Sequence, residues 1–76
     1  MEQEIKKQDY TAAEEIGNKL KMLRIDRRIM AKDLCEQIGI KTSTLSNIEK
    51  GKWNTGIQQL HDIARALGAH IEVVKD

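Results

Sequence analysis

The twenty residues 31–50 most constrain what this chain can fold into, because their apolar spacing fits two short helices that meet at Gly39. Apolar residues recur three or four positions apart on each helix, at Leu34 and Ile38 on the first and at Leu45 and Ile48 on the second. Residues with this spacing lie on one face of a helix. Gly39 stands where the chain must leave the first helix with positive φ, a geometry that glycine adopts at least cost. The segment therefore predicts a helix-turn-helix.

The second of these helices carries short polar side chains away from its apolar face. A helix that buries one side and presents hydrogen-bonding groups on the other suits the major groove of DNA. Asparagine can pair bidentately with adenine, and Ser or Thr hydroxyls can reach several base edges. Our candidates for base contacts are Thr42, Ser43, Thr44 and Asn47. The alternative is an ordinary solvated helix face.

Basic charge is concentrated around this segment, although the whole chain carries a net charge of only +1. Residues 16–52 hold nine basic and four acidic residues, whereas residues 1–15 hold two basic and five acidic residues. Such clustering is typical of a surface that faces phosphate groups. Phosphate contacts position a protein without reading sequence, and our candidates are Arg24, Lys41, Ser46, Lys50, Lys52 and Asn54. The alternative is that these cations only solvate exposed helix faces.

Two further helices flank the motif. Thr11 and Glu14 match a capping box that starts a first helix, and its apolar stripe continues through Ile16, Leu20 and Leu23. Thr55 and Gln58 match a second capping box, which opens a fourth helix lined on one side by Ile57, Leu60, Ile63, Ala64 and Leu67. Gly17 costs about 1 kcal/mol inside a helix relative to alanine. It therefore indicates either a later helix start or a close contact with another helix.

The two ends of the chain differ from this helical pattern. Residues 1–10 show no clear period and predict a flexible lead-in, and residues 11–68 form the predicted DNA-binding domain. Residues 69–76 are rich in β-branched residues and predict a short strand. A lone strand has no ladder partner, so the same strand of a second subunit would complete a twofold contact. A fifth helix or a disordered tail is the alternative.

Size and composition exclude several classes of function. No apolar run approaches the roughly 20 residues that span a bilayer, and no signal peptide is recognised, so we expect a cytoplasmic protein without membrane association. The lone Cys35 forms no disulfide framework or zinc cluster, and we expect it to be buried as a small apolar group. No nucleophile–base pair, phosphate-binding loop or metal motif is found. We therefore expect neither an enzyme nor a cofactor.

Four segments, in this order, resemble the Xre or lambda-repressor-like (Cro/C1-type) helix-turn-helix family. They are LKMLR at Leu20–Arg24, DLCEQIGI at Asp33–Ile40, TLSNIEKG at Thr44–Gly51 and IARALG at Ile63–Gly68. The resemblance covers about residues 16–68. It implies an all-α fold, a compact lambda-repressor-like bundle of four to five helices, whose third helix enters the major groove.

The sequence departs from the family pattern at the starts of the second and third helices, and one residue within the motif stands out by its charge. Met30 and Ala31 replace the usual Ser or Thr and Gln that open the second helix, and Ala31 thereby removes one expected backbone contact. Lys41 stands where the family caps the third helix, so either Thr42 caps instead or Lys41 exchanges capping for a phosphate contact. Glu49 is an acid within a basic motif, and we expect it to pair locally with Lys or Arg.

The sequence therefore predicts a sequence-specific DNA-binding transcriptional regulator, most simply a repressor that binds a palindromic operator as a homodimer. One alternative is the antitoxin of a toxin–antitoxin pair, with the acidic residues 1–15 engaging a basic toxin. A further alternative is a protein-interaction module that keeps the fold without binding DNA, which the low net charge and Ala31 favour.

Overall fold

The computed structural model describes residues 12–52 and 56–76, which contain four α-helices. The helices are α1 (Ala12–Asp26), α2 (Ala31–Ile38), α3 (Thr42–Glu49) and α4 (Ile57–Ala66). No strand occurs in these two ranges, so the prediction of an all-α helix-turn-helix bundle is confirmed. None of the helices described is long and apolar enough to cross a membrane.

The core is aliphatic and receives side chains from every helix. Leu20 comes from α1, and Leu34 and Cys35 come from α2, while the remaining buried apolar residues are Leu45, Ile48, Leu60, Ile63, Ala64 and Leu67. Helical spacing predicts Leu34, Leu45 and Ile48 correctly, whereas Ile38, predicted on the same face as Leu34, is only partly buried against this core. No polar or charged residue is buried within the described ranges, so the core depends on apolar packing alone.

The apolar spacing of α4 predicts that Ile57 faces the core, and this prediction is wrong. Ile57 is 65% exposed, although it stands three residues before the buried Leu60 on the same stripe. Ile57 is the first residue of α4. The apolar stripe of this helix therefore continues one turn further than the core that covers it.

Gly17 marks the place where α1 and α3 touch. A Cβ atom built on Gly17 would overlap the backbone carbonyl oxygen of Ile48 and lie 3.1 Å from the carbonyl carbon. Only a residue without a side chain allows this approach. The prediction of a close helix contact is confirmed, and the alternative of a later helix start is wrong, because α1 already begins at Ala12.

The turn between α2 and α3 has the predicted geometry. Gly39 has a φ of +73°, and its N–H donates to the carbonyl oxygen of Cys35 at 2.8 Å. The N–H of Ile40 donates to the same oxygen at 3.0 Å. These bonds satisfy carbonyl groups that a helix end leaves open, and they allow α3 to begin only three residues after Gly39. Gly51 and Gly68 also have positive φ after α3 and α4.

Helix starts are the part of the pattern that needs correction. Lys41 is the N-cap of α3 and makes no side-chain cap hydrogen bond, and Thr42 is the first helical residue and therefore does not cap. Gly56 is the N-cap of α4, one residue later than the predicted capping box, and Gln58 instead donates to Asp62 at 3.0 Å. The capping residues predicted at positions 11 and 55 lie outside the described residues.

The C-terminal residues 69–76 are neither helix nor strand, so the fifth-helix alternative is wrong and the predicted strand does not form within a single chain. The N–H of Ala69 donates to the carbonyl oxygen of Ala64 at 2.8 Å, which ties the start of this tail to the end of α4. Beyond it, Ile71, Val73 and Val74 are 38%, 99% and 71% exposed. The tail therefore presents β-branched side chains to solvent. The predicted lead-in at residues 1–10 lies outside the described residues.

Candidate nucleic-acid interface

The outer face of α3 carries the side chains predicted to contact bases. Leu45 and Ile48 are each 1% exposed and fix the inner face of α3 on the core. On the other side, Thr42, Ser43 and Asn47 are exposed, and Thr44 is half-buried. Ser43 and Asn47 stand one helical turn apart, near the middle of the outer face. The structure thus places all four candidates on one helix, with three of them open to solvent.

The start of α3 combines a cation with an uncapped helix end. Lys41 is exposed, and its carbonyl oxygen accepts the N–H groups of Thr44 and Leu45 at 3.0 and 3.1 Å. No acidic residue occupies the first turn. The first N–H groups of a helix have no partner within the helix and carry partial positive charge. An anion such as a phosphate group is therefore favoured at this end of α3.

At the other end of α3, Arg24 and Glu49 form an ion pair. Arg24 donates from Nε to Oε2 of Glu49 at 2.8 Å and from Nη2 to Oε1 at 3.3 Å. Its Nη1 donates to the backbone carbonyl oxygen of Ile29 at 2.9 Å. The two side chains are 14% and 9% exposed. The prediction that Glu49 pairs with a basic residue is confirmed, although its partner lies 25 positions away in the chain and not nearby as expected. A phosphate contact by Arg24 stays a prediction.

The remaining candidates for phosphate contacts have different surroundings. Lys50 is exposed at the edge of an open cleft of about 600 Å³ between the start of α1 and the end of α3. The cleft is also lined by Glu14, Glu15, Asn18, Lys19 and Glu49. The carboxylates of Glu14, Glu15 and Glu49 lower the positive electrostatic potential around Lys50. Lys41 is therefore better placed than Lys50 to contact a phosphate group. Lys52 is exposed and Ser46 is half-buried, while Asn54 lies outside the described residues.

Cys35 lies under the turn of the motif. It is 2% exposed, and its thiol donates to the carbonyl oxygen of Lys41 at 3.6 Å. Burial raises the pKa of this thiol, the negative charge of Glu49 raises it further, and the positive charge of Arg24 opposes both effects. A thiol that stays protonated is a poor nucleophile. The expectation of a buried, compact cysteine is confirmed.

We expect Cys35 to react with a thiol reagent only after unfolding. Because folding raises the pKa of Cys35, the thiol ionises at lower pH in the unfolded chain than in the folded one. The contribution of the protonated thiol to the free energy of unfolding is therefore present below the pKa of the unfolded chain and is lost as pH rises through the folded pKa. Unfolding curves should therefore show stability falling above about pH 8.5, the ordinary cysteine pKa. A Cys35→Ala variant should lack this part of the pH dependence. Rapid labelling of the folded chain by Ellman's reagent would contradict the expectation that Cys35 reacts only after unfolding.

The sequence did not identify two backbone groups that complete this site. The carbonyl oxygen of Ile29 accepts a hydrogen bond from Arg24, and the carbonyl group of Ile48 packs closely against Gly17. Every residue carries such a carbonyl group, so no sequence signal distinguishes these two. The internal glycine at position 17 was the only sign of the second contact.

Comparison with known proteins agrees with this geometry. The family model of the Cro/C1-type HTH DNA-binding domain matches residues 19–72. The chain is 34% identical over 55 residues to an uncharacterized HTH-type transcriptional regulator of Methanocaldococcus jannaschii, covering 72% of this chain and 83% of that protein. It is 27% identical over 59 residues to the immunity repressor protein of Bacillus phage phi105, covering 78% of this chain.

The chain spans only 41% of the length of the phage repressor. No solved structure matches the chain significantly. The family match includes α2, α3 and α4 and the second half of α1, which are the elements that build the motif and its support. On this basis, the chain belongs to the Cro/C1-type helix-turn-helix DNA-binding family.

Proposed function

We propose that this chain is a sequence-specific transcriptional repressor that binds a palindromic operator as a homodimer, with α3 in the major groove. The observation that carries this proposal is the two-sided character of α3. Leu45 and Ile48 pack one face of α3 against the core, whereas Ser43 and Asn47 are exposed on the opposite face. Lys41, at the start of the helix, is exposed as well. The names of the two relatives, an immunity repressor and a transcriptional regulator, support a regulatory role.

Within this proposal, base reading and phosphate binding belong to different residues. Asn47 offers a donor and an acceptor that match the major-groove edge of adenine, and Thr42, Ser43 and Thr44 offer hydroxyl groups to neighbouring bases. Lys41 neutralises a phosphate at the start of α3 and positions the helix. The first set supplies specificity, whereas Lys41 supplies affinity that weakens as salt is added.

The C-terminal tail is the proposed contact between subunits. Ile71, Val73 and Val74 are β-branched and exposed, and no strand of the described chain pairs with them. The same segment of a second copy would supply the missing ladder and cover these side chains. In a homodimer bound to a palindromic site, we expect the two α3 helices to lie about 34 Å apart, one turn of DNA. Removal of residues 71–76 is expected to yield a monomer in sedimentation.

The decisive experiment is selection from random DNA duplexes at a defined salt concentration. We expect enrichment of a site with twofold symmetry and half-sites about 10 bp apart. A promoter that contains the selected site should then be transcribed less when the protein is present. Recovery of no enriched duplex from the wild-type chain would contradict the DNA-binding proposal.

Substitution of the base-reading residue provides a matched test. Asn47→Ala is expected to cost about 1–3 kcal/mol of binding free energy on the selected site and to relax the base preference at one position. Asn18→Ala, an exposed asparagine on α1, is the control and should leave the affinity unchanged. Equal affinities of wild type and Asn47→Ala in a fluorescence-anisotropy titration would show that Asn47 does not contact a base.

A further inference from the structure

The C-terminal tail already has the side-chain alternation of a β-strand, although the described residues contain no strand that pairs with it. Nε2 of His70 lies 2.9 Å from Oε1 of Glu72, and both side chains are 60% exposed. Side chains two residues apart share one face of an extended segment. His70 and Glu72 therefore lie on one side of the tail, and the alternation assigns Ile71 and Val73 to the other side.

We propose that two copies of this chain pair their tails antiparallel in a single register, with Val73 of one copy opposite Val73 of the other on the twofold axis. The inference rests on the homodimer of the proposed function and goes further, because it names the residues that face each other. The remaining opposed pairs are Glu72 with Val74, Ile71 with Lys75, and His70 with Asp76.

Symmetry limits the registers that two identical antiparallel strands can adopt. In an isologous pair the twofold axis stands perpendicular to the strands, so each residue and its copy lie on the same face of the ribbon. Side chains that stand directly opposite each other also share a face. Opposed residues are therefore separated by an even number of positions in the sequence. It follows that one residue lies on the axis, opposite its own copy.

Charge disfavours the axis at four positions of the tail. An axis at Glu72, Lys75 or Asp76 places two identical charges directly opposite each other, which is destabilising. An axis at Val74 places Glu72 opposite Asp76 on both sides of the axis, so two pairs of carboxylates face each other. These four registers are therefore poor choices for a stable pair of strands.

The backbone at the start of the tail disfavours an axis at His70 or Ile71. Both registers need Gly68 and Ala69 as paired residues. Gly68 has a φ of +78°, which is outside the β region, and the N–H of Ala69 already donates to a carbonyl oxygen of α4 at 2.8 Å. A ladder through these residues would break the end of α4. Without them, the register centred on Ile71 keeps only residues 70–72 of each tail.

The register centred on Val73 uses the whole free part of the tail and brings no like charges opposite each other. Val73 is 99% exposed in the single chain and packs against its own copy in this pairing. Ile71 lies opposite the aliphatic stem of Lys75, so the two copies form one apolar strip on this face. On the other face, the imidazole of His70 lies opposite the carboxylate of Asp76, which is a favourable pair.

Single cysteine substitutions in the tail test the register. A disulfide needs two Cα atoms about 4.4–6.8 Å apart. Directly opposed residues of antiparallel strands are about 4.5–5.5 Å apart, whereas residues displaced by two positions are about 8 Å apart, from the strand spacing and the rise per residue. Only the residue on the axis can therefore link to its own copy.

We expect Val73→Cys to form a disulfide-linked dimer in a buffer of reduced and oxidised glutathione, which supplies the oxidant. Its linked fraction should exceed those of Glu72→Cys and Val74→Cys by about tenfold or more, because pairing raises the effective concentration of the two thiols. An equal mixture of Glu72→Cys and Val74→Cys should link one variant to the other. The wild type, whose Cys35 is 2% exposed, is the control and should stay unlinked.

Non-reducing electrophoresis measures the linked fraction, and circular dichroism confirms that each variant is folded. The three substituted positions are exposed, so folding should be retained. Self-linkage of Glu72→Cys or Val74→Cys above that of Val73→Cys would overturn the register. Equal linkage of all three variants, or linkage of none, would overturn it as well, because the tails would then lack a fixed pairing.

Measuring the linkage with and without the selected duplex separates this inference from the proposal of DNA binding. If the wild type binds a twofold-symmetric site and Val73→Cys does not link on that site, the register fails alone. If Val73→Cys links and the wild type binds no duplex, the DNA-binding proposal fails and the pairing of the tails stands. If neither result is obtained, both proposals fail.

Discussion

Replacement of Gly17 by alanine is expected to lower the free energy of unfolding by about 1–3 kcal/mol, the usual cost of overpacking a well-packed contact. The added Cβ would overlap the carbonyl oxygen of Ile48 and lie 3.1 Å from the carbonyl carbon, and both atoms belong to the backbone. A backbone group cannot rotate away as the end of a long side chain can. The variant must therefore separate α1 from α3. Thermal or urea unfolding followed by circular dichroism measures the change.

The direction of the change in stability separates the tertiary contact of Gly17 from its helix propensity. Helix propensity by itself favours alanine over glycine by about 1 kcal/mol, so an isolated α1 would become more stable. Asn18→Ala, one residue further along and exposed, is the matched control and should be stabilising by about 0.5 kcal/mol. Gly17→Ala with stability equal to or above that of the wild type would show that α1 and α3 are not in close contact at this position.

The second large effect on stability is expected when an isoleucine of α4 is replaced by alanine at a buried position, with the same replacement at an exposed position as the control. Ile63 is fully buried, whereas Ile57 is 65% exposed on the same helix. Ile63→Ala is expected to cost about 2–5 kcal/mol, because it removes buried methyl groups and leaves a cavity that the core closes only in part. Ile57→Ala is expected to change stability by less than about 0.5 kcal/mol, as is usual for surface positions.

Chemical denaturation of the two variants measures both values under the same conditions. In a domain of this size a loss of several kcal/mol is a large fraction of the total stability. Ile63→Ala therefore has its midpoint shifted far towards low denaturant, or lacks a folded baseline altogether. Equal destabilisation by the two substitutions would place Ile57 in the core and contradict the described packing of α4.

Most of the fold was predictable because local rules act within a few residues. The apolar spacing around Leu34 and Leu45 and the glycine at position 39 define two helices and the turn between them, and the structure confirms each of these. The pairing of Glu49 with a basic residue was predictable as well, since an acid within a basic motif needs a partner. The identity of that partner was not, because Arg24 is 25 positions away in the chain.

The candidate site was predictable as a list of residues and less so as an arrangement. Placement of Thr42, Ser43 and Asn47 on an exposed face follows from helical periodicity. The different surroundings of Lys41, Lys50 and Arg24 do not, because they depend on which carboxylates other helices bring near. The tail was ambiguous for a related reason. A strand at residues 69–76 needs a second strand, and the sequence of one chain does not show what pairs with it.

By itself, the sequence determined the position of the helices, the polar face of α3 and the membership of a helix-turn-helix family. These properties follow from the order of side chains within a helical turn or from a match along the chain. Only the tertiary structure decided that Gly17 lies against Ile48, that Arg24 holds Glu49 and that Ile57 lies outside the core. Contacts between helices are set by how the four helices of the described residues pack around one apolar core, and that packing brings together residues that no local pattern connects.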